Sequence, residues 1–293
     1  MTLQVKNMVK HFGGVHAVKG VSFNVLPGEC VALIGPNGAG KSTTFACIAG
    51  QHRLTSGEVL WNGECIDTWP PARRLMAGIA RTFQVAQTFE ALTVLQNVQL
   101  TMSIRRGLSA FSSLDSVEMV PAMALLAQVG LQPLASAEVL GLPYGAKKRL
   151  ELAMALAGIS SVRPELVEGF FDKLRTGIRQ AQPERDGELA RADAPKLLLL
   201  DEPAAGLAGP ERASLMVLVK SLAATGMAVL YTEHNMDAVF GVADRVLVLI
   251  DGQLAAQGTP DDVAANPEVR SRYLGKSFGQ SFVQPVTPQA THA

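Results

Sequence analysis

The stretch Gly35-Pro36-Asn37-Gly38-Ala39-Gly40-Lys41-Ser42 decides how the rest of the chain is read. It fits G-x-x-x-x-G-K-[ST] at every constrained position, and Thr43 follows. The apolar run Val31–Ile34 precedes it and Ser42–Ala49 suits a helix, so the motif lies where a strand turns into a helix. Glycines let successive backbone N–H groups turn toward one anion, and a helix N-terminus adds partial positive charge. Lys41 brings a full charge to the β- and γ-phosphates of a nucleotide, and Ser42 offers a hydroxyl to Mg²⁺. The alternative is a Gly-rich turn matching by accident, expected roughly once in a hundred chains of this length at average glycine usage.

Working outward, Lys196-Leu-Leu-Leu-Leu-Asp201-Glu202-Pro203 is a continuous apolar run ending in two carboxylates. Acids at the C-terminal end of a buried strand lie where ligands of open α/β sheets bind. Asp201 suits the metal shell, and Glu202 can orient an attacking water. Val229–Tyr231 and Val246–Ile250 are further buried-strand runs, while Val21–Val25 alternates as a half-buried strand does. Ala213–Ala223 sets Leu215, Leu218, Val219 and Leu222 on one helical face. Strands alternating with helices imply an α/β core. Residues 88–157, rich in Leu, Ala and Met at helical spacing, read as a helical subdomain set into it.

Composition narrows the partners. The chain has 293 residues, 26 basic and 26 acidic side chains, and hydrophobic residues make up 48%. Zero net charge supplies no basic field for nucleic acid, so none is expected. Cys30, Cys47 and Cys65 lack metal-ligand spacing and read as reduced thiols. No run approaches the roughly 18 apolar residues of a membrane span. Any membrane role is expected to be peripheral.

Taken together, these residues resemble the ABC-family ATPases from about Leu3 to Gly275. The resemblance implies an α/β P-loop NTPase core with an antiparallel β subdomain and a helical subdomain, residues 1–275, and a flexible tail, residues 276–293. It implies ATP and Mg²⁺ as ligands. Ser42, Gln84 and Asp201 take the metal positions, and Glu202, His234 and Lys41 the catalytic ones. Gln84 stands in Arg81-Thr-Phe-Gln84, and His234 in Tyr231-Thr-Glu-His234. Gly35, Asn37, Gly38, Ala39, Gly40 and Thr43 join Lys41 and Ser42 around the phosphates, and Phe12 takes the adenine-stacking position. Leu142-Pro-Tyr144-Gly145-Ala146 resembles the family signature loop, whose helix faces the nucleotide of a second ATPase subunit. Pro143 and Ala146 depart from the common Leu-Ser-Gly-Gly-Gln, and Ala208 stands where many relatives carry Asp or Asn.

Phe12-Gly-Gly-Val-His-Ala-Val, Gly78–Gln84, Leu92–Val98 and Asp201–Leu207 are similar to the branched-chain amino acid uptake subgroup. That likeness implies a cytoplasmic-face subunit working with two transmembrane permeases, a second ATPase subunit (itself or a paralogue) and, indirectly, a periplasmic binding protein. Ile159–Ala194 interrupts the family pattern. Phe171-Asp-Lys-Leu-Arg175 can be encoded so that its reverse complement reads Pro-Glu-Leu-Val-Glu, the sequence of Pro164–Glu168. The segment thus resembles a translated palindromic DNA repeat, and is expected to be a tolerated surface loop. Two other readings stay open at this level: a non-transport ABC ATPase, and a catalytically impaired structural copy.

Overall fold

A computed structural model describes residues 2–82, 88–105, 119–159 and 197–275. Gln84, nearly all of the 159–194 segment and the 276–293 tail lie outside them.

Two sheets organise the described residues. In chain order the strands are β1 (Leu3–Phe12), β2 (Val15–Val25), β3 (Cys30–Ile34), β4 (Ser56–Trp61), β5 (Glu64–Cys65), β6 (Ile79–Arg81), β7 (Leu197–Asp201), β8 (Ala228–Thr232), β9 (Arg245–Ile250) and β10 (Gln253–Gly258). An antiparallel sheet has the order β2-β1-β4-β5, and a six-stranded sheet the order β10-β9-β3-β8-β7-β6. The latter is parallel from β9 to β6, with β10 antiparallel at its edge. The α-helices of five or more residues among the described residues are α1 (Lys41–Ile48), α2 (Pro71–Met76), α3 (Val94–Arg105), α4 (Met119–Gln128), α5 (Tyr144–Ile159), α6 (Gly209–Ala224), α7 (Met236–Phe240) and α8 (Pro260–Ala265).

The apolar strands are buried on both faces because each face meets its own core. Val31, Leu33, Leu197, Leu199, Leu230, Leu247 and Leu249 face one cluster, shared with α1 and the antiparallel sheet. Their alternates Ala32, Ile34, Leu198, Leu200, Tyr231, Val246 and Val248 face the other, shared with α3–α6. A period of two, apolar on both sides, is what a covered parallel sheet requires. Residues 88–157 supply α3, α4 and most of α5, the expected helical layer. Leu215, Val219 and Leu222 of α6 are buried and Leu218 is partly so.

Strand order positions the chemistry. With β8 between β3 and β7, the segments leaving β3, β8 and β7 emerge side by side at the C-terminal edge of the sheet. Those segments carry Gly35–Gly40, Glu233-His234 and Glu202.

Candidate functional site

The phosphate loop is shaped by what presses on it. Gly35 has φ +146° and Gly40 φ +98°. A Cβ on Gly35 would lie 2.0 Å from the Leu249 carbonyl oxygen, and one on Gly40 2.4 Å from that of Ala17. Neighbouring strands thus exclude any side chain at both ends. Gly252 donates its N–H to the Ala39 carbonyl at 3.2 Å, tying the loop to the β9–β10 turn. Asn37, Gly38 and Ser42 are exposed, while Ala39, Gly40 and Lys41 are buried. No side chain caps α1 at Gly40, so its first N–H groups remain available to an anion. Those observations fit a phosphate group and the backbone cradle expected of it.

Lys41 is buried, and its Nζ donates to the carbonyls of Gly35 (2.7 Å) and Pro36 (3.0 Å). Burial lowers its pKa, while the nearby charges of Glu202 and Asp201 act the other way. The strand order β3-β8-β7 sets the phosphate loop and the carboxylate pair at the same edge of the sheet. Glu202 sits at φ +50°, an uncommon conformation for a residue with a Cβ. Its N–H donates to Thr232 Oγ1 (3.0 Å), and the Thr232 hydroxyl donates to Asp201 Oδ1 (2.8 Å). His234 Nε2 lies 2.8 Å from Glu202 Oε1. Arg81 Nη2 donates to Asp201 Oδ2 at 2.9 Å. The contacts of Arg81, Thr232 and Glu233 depend on strands β6, β7 and β8 lying side by side, which no run of consecutive residues expresses.

The other sequence-derived positions fall into separate surroundings. Phe12, at the end of β1, is 43% exposed. Its ring meets His52 edge-on at 5.2 Å between centroids, with Lys10 Nζ 4.7 Å away. Such an accessible ring can stack on a base. Tyr144 and Gly145 open α5. A Cβ on Gly206 would come within 3.1 Å of the Tyr144 ring, and one on Gly145 within 3.3 Å of the Glu211 carboxyl group. Thus the α5 N-terminus rests on the loop that follows Glu202. Gln84 lies outside the described residues.

A glycine cradle, a buried lysine and a carboxylate pair at the edge of a parallel sheet define a P-loop nucleoside triphosphatase. The "ABC transporter" family pattern matches residues 18–162, ending just inside the interrupting segment. The high-affinity branched-chain amino acid transport ATP-binding protein LivG of Escherichia coli strain K12 is 32% identical over 285 residues, covering 94% of this chain and 98% of LivG. BraF of Pseudomonas aeruginosa, which carries the same description, is 31% identical over 285 residues, with the same coverage. Among solved structures, a nucleotide-free ATP-binding cassette from an ABC transporter aligns with TM-score 0.73 and 28% identity, covering 94% of this chain and all of that one. The ADP conformation of MJ1267, also an ABC transporter cassette, aligns with TM-score 0.73 and 29% identity over the same shares. The chain belongs to the ATP-binding subunits of ABC transporters and is an ABC ATPase.

Proposed function

We propose that this chain hydrolyses Mg-ATP to drive import of branched-chain or other hydrophobic amino acids, or related amides. The observation that carries this reading is its end-to-end likeness to LivG, joined to a site with the parts that hydrolysis needs. Gly35–Thr43 cradle the phosphates, Phe12 stacks on the base, and Lys41 charges the β- and γ-phosphates. Ser42 and Asp201, with Gln84, would hold Mg²⁺, which neutralises phosphate charge when bound. Glu202, held by the Thr232 bond and beside His234, orients the attacking water, and His234 meets the γ-phosphate. Catalysis in this scheme is mainly positioning and charge stabilisation.

Two copies, or one with a paralogue, face head to tail, so that Tyr144 and Gly145 of one reach the nucleotide of the other. Tyr144 resting on Gly206 gives that contact a route to Glu202. Two permeases receive the resulting motion through the Gln84 segment. Support for that docking comes from a cleft of about 190 Å³ beside the end of β6, walled mostly by apolar groups of Leu75, Ala80, Met154 and Ala155, with Arg81 and Glu151 as its charged members. No described helix is long and apolar enough to cross a membrane, and the subunit is assigned to the cytoplasmic face, supplied by a periplasmic binding protein.

Co-expression and purification with candidate permeases, followed by reconstitution, test the assignment. Leucine uptake should depend on ATP and on the binding protein, and should vanish with Lys41→Ala. ATP-independent uptake, or failure to assemble with any permease, contradicts it.

A further inference from the structure

Both oxygens of Asp201 are engaged. Oδ1 accepts the Thr232 hydroxyl at 2.8 Å and Oδ2 accepts Arg81 Nη2 at 2.9 Å. The two partners of that ion pair are nearly buried, with side chains 12% and 10% exposed. The other arm of the guanidinium, Nη1, donates to Gln51 Oε1 just beyond α1. Arg81 therefore bridges the far end of the phosphate-loop helix and the carboxylate at the head of the site. It is also the last residue of β6, three positions before Gln84.

We propose that Arg81 is a positioning residue that competes with the divalent metal for Asp201, so that metal binding displaces its guanidinium. The inference rests on the reading of Asp201 as part of the metal shell. Its physical basis is charge. A carboxylate this buried is costly without a compensating cation, and Arg81 supplies one. Thr232 already donates to Oδ1 and Arg81 to Oδ2, so a metal or its water at Oδ1 displaces or shares with a neutral hydroxyl, whereas at Oδ2 it meets a cation. Two cations on one carboxylate repel each other, and the divalent one carries more charge. Linkage makes the effect reciprocal: whatever pins Arg81 on Asp201 weakens metal binding by the same factor that metal weakens the ion pair.

Mn²⁺ titration of the full chain with saturating ADP, read by electron paramagnetic resonance, tests the inference. Arg81→Met should bind Mn²⁺ about tenfold more tightly than wild type, inside the ~5–150-fold span of typical couplings. Arg81→Lys, which keeps the charge, should stay near wild type, and ADP affinity in EDTA should change less than about twofold, as a ligand that does not contact the altered pair requires. Arg81→Gln keeps a hydrogen bond to Asp201 and gives the same readout should the Met variant not fold. Mn²⁺ affinity unchanged or weakened in the neutral variants overturns the proposal, since removing a cation that competes for Asp201 must strengthen metal binding. Asp201→Asn tests the premise separately: it should weaken Mn²⁺ binding, and wild-type affinity there would remove Asp201 from the metal shell whatever Arg81 does.

Discussion

Glu233 sits between Thr232 and His234 and is only 3% exposed. Its Oε1 accepts the Ala204 N–H at 2.9 Å and its Oε2 the His234 N–H at 3.2 Å. It therefore fastens the strand end that bears the histidine to the turn beyond Glu202. Burial raises its pKa above the ordinary 4.5, with the backbone donors opposing and Glu202 adding to the rise. A folded-state pKa above the unfolded one gives stability that is complete below the unfolded value and is lost as pH climbs through the folded value. Melting temperatures of wild type and Glu233→Gln should therefore converge, or cross, as pH rises from about 4.5 toward neutrality. A difference independent of pH would mean that burial does not perturb this carboxyl. Residues of this kind escape sequence reading. The phosphate loop is legible because its chemistry lies in consecutive residues at fixed spacing. Arg81 reaches Asp201 from the end of β6, while Thr232 and Glu233, at and just beyond the end of β8, reach Asp201, Glu202 and Ala204, and only the order of the sheet brings them there.

At the scale of elements, the turn from β3 into α1 holds its shape through two glycines that differ in kind. Gly40 combines a left-handed φ with a carbonyl in the space its Cβ would need, whereas Gly38 has φ +80° and nothing within 4 Å. Gly38→Ala should cost only backbone strain, about 1 kcal/mol. Gly40→Ala adds a collision with the Ala17 backbone, so it should cost roughly 2–4 kcal/mol and weaken ATP binding well beyond Gly38→Ala. Thermal melts and nucleotide titrations of the two variants check the ordering, and equal effects would deny that Ala17 shapes the loop. The same elements show what sequence patterning reaches. Runs such as Leu197–Leu200 announce covered strands because both faces are apolar. β1 does not, since its pairing with β2 shifts register near Met8 and again near His11, and Asn7 has φ +45°. Such bulges break the period of two. Strand β6, three residues long, offers no period at all.

For the whole molecule, the two described ends that flank residues 160–196, between α5 and β7, return to one place. Gly158 abuts Leu75, while Leu197 pairs with Ile79 and donates its N–H to the Gly78 carbonyl. Both ends thus meet the short stretch that runs from α2 into β6. A brief linker should span them. Excising 160–194 should leave the melting temperature and ATPase rate nearly unchanged, because loop length alone contributes only about 0.6 kcal/mol per doubling. Loss of the fold on excision would show that the segment belongs to the core. The central claim is that the cradle at Gly35–Ser42 and the carboxylates Asp201 and Glu202 act on a single Mg-ATP. Affinity for Mg-ATP and phosphate release, measured side by side for wild type and Glu202→Gln, test it most directly. Affinity should stay within about threefold and phosphate release should slow roughly 10²–10⁴-fold, the range for removing a positioned general base. Hydrolysis at the wild-type rate in that variant would contradict it.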